Sequence, residues 1–105
     1  MAAARRTRYR IRITESAAEQ VRAAHEWWQQ NRPAAPHAIR EDVASAFALL
    51  SVQPHVGARA GSPRLTGVRR VLLTRISYHL YYRVLASERA IEVLAFWHAS
   101  RQNEP

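Results

Sequence analysis

The sequence predicts an α+β fold: a strand, two helices and a three-strand meander, giving an antiparallel-type sheet with a helical hairpin packed on one face. Three observations predict it. Residues 76–85 alternate strictly, Ile76, Tyr78, Leu80, Tyr82 and Val84 opposing Ser77, His79, Tyr81, Arg83 and Leu85. A strand sends neighbouring side chains to opposite faces, so this stretch has a core face and a face carrying basic and hydroxyl groups. Upstream, two apolar stripes repeat at helical spacing, and Pro, Gly and Asn punctuate the boundaries. At 105 residues the chain is expected to be one domain, 1–105, with 1–7 disordered and 102–105 a flexible tail.

The elements follow in order. Tyr9, Ile11 and Ile13 alternate with Arg8, Arg10 and Arg12, which makes a short half-buried strand with a column of Arg on its open side. That column suits an acidic partner, and it equally suits an edge strand guarded against unwanted pairing. Ser16 and Glu19 have the spacing of a capping box, so a helix is expected from there to about Asn31. Val21, Ala24, His25 and Trp28 form its apolar face. His25 reads as a packed or half-exposed helix residue rather than a ligand. Trp27 and Trp28 are adjacent and cannot both enter one core, so one is expected over the inter-helix turn or at an interface.

Asn31-Arg32-Pro33 ends the first helix, and Pro36 suits the first turn of the next. Ile39, Val43, Ala46, Phe47 and Leu50 make the second stripe, and Pro54 stops it. Residues 54–67 hold all three Gly and two of the five Pro and read as a basic connecting loop. Residues 68–74 form the next strand, in which Arg69 and Arg70 must face opposite sides. Ser87-Glu88-Arg89 turns into a last strand over 90–97. Uninterrupted alternation there puts Ile91, Val93, Ala95 and Trp97 on one face and Glu92, Leu94 and Phe96 on the other.

Composition narrows the function. A hydrophobic content of 48% belongs to a globular chain, and without Cys there are no disulfides or thiolate metal sites. The opening MAAARRTRYR has no apolar run before its charges, and no stretch reaches the ~20 apolar residues of a membrane span. A soluble cytoplasmic protein is expected. The net charge is +8, and all 16 basic residues are Arg. Arg presents a fork matched to phosphates and carboxylates, so the expected partner is a nucleic acid or an acidic protein segment. A bias toward Arg over Lys accounts for the residue type, but not for the excess of positive charge.

No HExxH, GxGxxG or Walker loop occurs, so no metal or other cofactor is expected. The chemistry these residues could supply is metal-independent RNA cleavage, which needs a base for the 2′-hydroxyl, an acid for the leaving oxygen and cations for the phosphate. Arg70, His79, Tyr81, Arg83, His98 and Arg101 are the candidates. The competing reading makes the Tyr residues packing anchors and the Arg residues a solvated surface.

The ordered set Pro54-x-x-Gly57, Val68-Arg69-Arg70-Val71, Tyr78-His79-Leu80-Tyr81-Tyr82-Arg83-Val84, Ile91-Glu92-Val93-Leu94 and Trp97-His98-Ala99-Ser100-Arg101 resembles the RelE/ParE superfamily of toxins from bacterial type II toxin–antitoxin systems. The resemblance covers nearly the whole chain. It implies a strand–helix–helix–three-strand fold and a cognate antitoxin whose tail covers the basic face, in a hetero-oligomer or beside a toxin homodimer. It also implies one of two activities. RelE-like members cut mRNA on the ribosome without a metal, which would assign catalysis to Arg70, His79, Arg83, His98 and Arg101. ParE-like members inhibit DNA gyrase and are not nucleases. The His98-x-x-Arg101 ending, with no later aromatic residue, looks more like the ParE branch. In either case the surface expected to meet target or antitoxin comprises Arg10, Arg12, Arg70, Leu72, His79, Tyr81, Arg83, Leu94 and Phe96. A basic nucleic-acid-binding module without toxicity is the remaining alternative.

Overall fold

The first strand, β1 (Arg10–Ile13), packs Ile11, like the preceding Tyr9, half-buried against the core and leaves Arg10 and Arg12 exposed. This computed structural model describes residues 8–101, so the expected disorder of residues 1–7 and the flexible tail at 102–105 lie outside the described residues. Helix α1 (Glu15–Asn31) starts earlier than the Ser16–Glu19 box predicts. Thr14 is the N-cap: its hydroxyl accepts from Ala17 N at 3.1 Å, and its own N–H donates to Val93 O at 3.0 Å. The sheet thus fixes where the chain leaves extended geometry, and the cap falls at that residue. Glu19 bonds Arg22 instead, at 2.5 Å and 2.6 Å.

Helix α1 stops at Asn31 before Pro33, as expected. Helix α2 (Ala38–Val52) begins two residues after Pro36, which lies in the preceding turn and not in the first helical turn. The two helices form a hairpin on one side of the sheet. Their buried contributions include Ala17, Ala24, Ala38, Ile39, Val43, Ala46 and Leu50. The four Ala bring helix backbone close to the sheet, where Leu80, Tyr82, Ile91 and Val93 are wholly buried. Each large side chain so buried contributes ~1.5–3 kcal/mol, and these contacts hold the two layers together.

The sheet has five strands in the order β1-β5-β4-β3-β2, with β2 (Ala58–Arg59), β3 (Val68–Leu73), β4 (Tyr78–Leu85) and β5 (Ala90–His98). The meander β3–β4–β5 is antiparallel as expected, but β1 lies parallel to β5, with Ile11 opposite Ile91. Alternation within a strand defines its faces and is silent about its partner, so this mixed pairing was not visible in the sequence.

Two departures shape the far side of the sheet, away from the helices. The 54–67 connector is not a plain loop. It supplies β2 and a 3-10 turn (Pro63–Leu65), and Ala60 and Leu65 pack over Val68, Tyr81 and Ala95 as a second small core. Gly57 anchors it: its N–H donates to the Tyr82 hydroxyl at 2.9 Å, and the backbone approaches too closely for a Cβ. The second departure is a bulge in β5. Tyr81 pairs with Ala95 and Tyr82 with Val93, so Leu94 is an extra residue. An extra residue reverses the facing of everything after it. The expected alternation therefore holds to Val93 and fails beyond it. Ala95 and Trp97 turn to the far side, while Phe96 and His98 turn to the helix side.

A basic and aromatic sheet face as candidate binding site

Register places the predicted residues in rows across the far face. The first row is Arg12, Glu92, Arg83 and Val68 on β1, β5, β4 and β3. Its cations are partnered: Arg12 bonds Glu88 at 2.5 Å, and Arg83 lies 3.8 Å from Glu92. These pairs are half-exposed and stabilise weakly, at ~0–1 kcal/mol each, but they neutralise this end of the face. Arg10 stands opposite Ala90 at the same margin and is exposed.

The second row pairs Ala95, Tyr81, Arg70 and Ala58. Tyr81 is only 3% exposed, which corrects its assignment as a surface contact. It anchors the second core, edge-on to His79 at 6.0 Å and to Trp97 at 6.5 Å between centroids. Phe96 is corrected likewise. It is 2% exposed, stacks on Tyr78 at 4.5 Å, and belongs to the helix-side core. Leu94, at the bulge, is half-buried against the second core.

The third row is Trp97, His79 and Leu72. Leu72 is 50% exposed, and the Arg101 guanidinium lies 3.5 Å from the Trp97 ring centroid. A cation over an indole face is attracted by the ring quadrupole, so Trp97 orients Arg101. Arg70 on β3, His79 on β4 and Arg101, three residues past the end of β5, thus lie toward one end of the far face. Beside them lie Leu72, expected on this surface from the sequence, and Trp97, which uninterrupted alternation would have put on the core face with Ile91 and Val93. The arrangement can bind carboxylates or phosphates while burying apolar surface.

His98 is not part of this face. It pairs with Tyr78, 5.2 Å away edge-on, on the helix side. Its Nδ1 meets the Ser100 hydroxyl at 2.7 Å and accepts from Ser100 N at 3.1 Å. An Nδ1 that accepts leaves the proton of the neutral ring on Nε2. The five candidate catalytic residues are therefore divided: Arg70, His79 and Arg101 gather, Arg83 is tied to Glu92, and His98 lies across the sheet. Among the described residues no group of His, Asp and Glu comes together to hold a metal ion. No helix among them is long and apolar enough to cross a membrane.

Two residues sit outside the expected set. Arg75 grips Asp42 at 2.7 Å and Glu41 at 3.0 Å, joining the β3–β4 turn to α2; hydrogen bonds to these carboxylates raise its pKa. His25 is buried beside His37, and desolvation, then Arg40 and His37, lower its pKa.

A family model described as the ParE toxin of type II toxin–antitoxin systems, parDE, matches residues 11–103. Solved structures share the fold. The chromosomal ParDE toxin–antitoxin system of P. aeruginosa matches with TM-score 0.70 at 19% identity, over 88% of this chain and 97% of that one. The RelBE2 toxin–antitoxin complex of Mycobacterium tuberculosis gives 0.62 at 24%, over 87% and 98%. The intact E. coli RelBE complex gives 0.60 at 19%, over 89% and 99%. At these identities the likeness is one of fold. No curated protein matches the chain significantly.

Proposed function

Because the chain belongs to the ParE toxin family of type II toxin–antitoxin systems, we propose that it halts growth by inhibiting DNA gyrase in the cytoplasm, and that a cognate antitoxin neutralises it. The observation that carries the choice of target is the separation of the two imidazoles. Metal-free RNA cleavage needs a base and an acid at one phosphate, whereas His79 and His98 lie on opposite faces of the sheet. This supports a surface that binds over one that cleaves.

In this reading Arg70, His79 and Arg101, with Leu72 and Trp97, form the contact for gyrase. The antitoxin brings acidic side chains for Arg10 and Arg70, at the margin and the cationic end of the face, and apolar side chains for Leu72 and Leu94. An exposed apolar residue set among cations fits such an interface. The toxin then occurs as a hetero-oligomer with its antitoxin.

The alternative is a ribosome-dependent mRNA endoribonuclease, favoured by the convergence of Arg70, His79 and Arg101 on one face; the other candidates, Arg83 and His98, lie outside that cluster. The third possibility is a non-toxic nucleic-acid-binding module, whose affinity would fall steeply with salt. The test measures gyrase supercoiling and mRNA cleavage on translating ribosomes with the same purified protein. Blocked supercoiling, relieved by the antitoxin and weakened by Arg101→Ala, is expected. Normal supercoiling at saturating toxin overturns the proposal, and codon-positioned cuts lost in His79→Ala would transfer it to the ribosome.

A further inference from the structure

A concave site lies on the helix side, between the last turn of α1 and the β3–β4 turn. It has a volume of about 450 Å³, and its walls include Trp27, Trp28, Arg32, Arg75, Tyr78 and His98. Ligand pockets of small molecules run to ~300–1,000 Å³, so the space suits a compact ligand. None of the proposed toxin contacts lines it.

The walls are aromatic and fixed. Trp28 packs against the core, and its neighbour Trp27 cannot follow it, remaining 47% exposed at the rim. The two indoles meet edge to face, with centroids 6.2 Å apart. Arg32, just past the end of α1, lies over both, 5.2 Å from one ring and 5.8 Å from the other. Opposite them, Tyr78 is held by its stack on Phe96 and by the edge contact with His98. Ser100 occupies His98 Nδ1, so the neutral ring offers Nε2–H as a donor.

The charges differ in role. Arg75 is neutralised by Asp42 and Glu41, which makes it a strut of the wall. The Arg32 guanidinium donates only to the backbone carbonyl of Asn31, and among the described residues no carboxylate pairs with it. The cleft therefore offers the exposed Trp27 ring, walled by Trp28 and Tyr78, one guanidinium without a carboxylate partner and one imidazole donor. A flat heteroaromatic ring with an attached anion matches all three. Bases stack on aromatic side chains whatever their sequence, and Arg takes phosphate through its fork.

We propose that this cleft binds a nucleotide, either free or at the end of a single strand, with the base against the exposed Trp27 ring and the phosphate at Arg32. The claim goes beyond the gyrase reading and does not depend on it. Two of the chain's three Trp line the cleft, so intrinsic fluorescence of the full chain reports occupancy. The titrants are AMP, adenosine, ribose 5-phosphate and a short oligoadenylate, at constant ionic strength.

Saturable quenching by AMP is expected, with adenosine weaker and ribose 5-phosphate inert. Trp27→Leu should weaken AMP roughly tenfold through lost stacking. Arg32→Gln should bring AMP down to the affinity of adenosine. Both residues are exposed, so far-UV circular dichroism should be unchanged in both variants. Tighter binding of the oligoadenylate than of AMP identifies a strand end as the source; equal binding identifies the free nucleotide. No saturable response to AMP, equal binding of ribose 5-phosphate, or an AMP affinity unmoved in Trp27→Leu overturns the proposal.

Discussion

Gly57→Ala tests the hinge between the connector and the sheet. A Cβ at this position would sit 2.7 Å from the Tyr82 hydroxyl, 2.8 Å from Arg70 O and 2.9 Å from Tyr82 Cε1. None of these neighbours yields cheaply. Arg70 O belongs to β3, and Tyr82 is wholly buried in the core. Overpacking of this kind costs ~1–3 kcal/mol. Relief by shifting Gly57 breaks its N–H bond to the Tyr82 hydroxyl at 2.9 Å. A buried hydrogen bond of this kind is worth ~1 kcal/mol, with more lost if the donor is stranded. The sum is ~2–4 kcal/mol, or a Tm lower by roughly 10–20 °C for a domain of this size. Urea unfolding followed by tryptophan fluorescence measures it. The double variant Gly57→Ala/Tyr82→Phe should recover only part of the loss, because the contact with Arg70 O remains. A Gly57→Ala protein within 0.5 kcal/mol of wild type, a margin typical of neutral surface changes at about that size, would refute the close approach as the reason for glycine here.

Three further outcomes follow from particular contacts. Thr14→Ala should cost ~1 kcal/mol as a lost cap, while Ser16→Ala should stay within about 0.5 kcal/mol; the reverse order in thermal denaturation would restore the capping box. Phe96→Ala should cost ~3–5 kcal/mol and Leu94→Ala about 1 kcal/mol, since the bulge buries the first and half-buries the second; comparable losses would argue against the bulge. His25, facing His37, Arg40 and Glu26, is held below its ordinary pKa by burial first, then by Arg40 and His37. The unfolded chain then takes up a proton at His25 before the native one does, so stability falls as pH drops through and below ~6.5, by at most ~1.4 kcal/mol per pH unit. The pH dependence of unfolding should be flatter in His25→Phe, and an unchanged profile would count against a neutral buried imidazole.

What the sequence alone determined was local in origin. Helical spacing located both helices and their core stripes, and strict alternation gave the two faces of β4 correctly from Tyr78 to Val84. The ordered motifs pointed to the toxin superfamily, which the family match over residues 11–103 bears out. What only the tertiary structure decided depended on partners distant in the chain. The parallel seat of β1 beside β5, the start of α1 at a residue bonded to Val93, and the cover that 60–65 lays over Tyr81 all join segments by contacts that periodicity does not encode. The largest consequence comes from one residue. Leu94 adds a bulge, and because side chains along a strand alternate with period two, every later residue of β5 changes face. That single insertion buries Phe96, brings Trp97 beneath Arg101, and moves His98 away from His79 to the opposite side of the sheet.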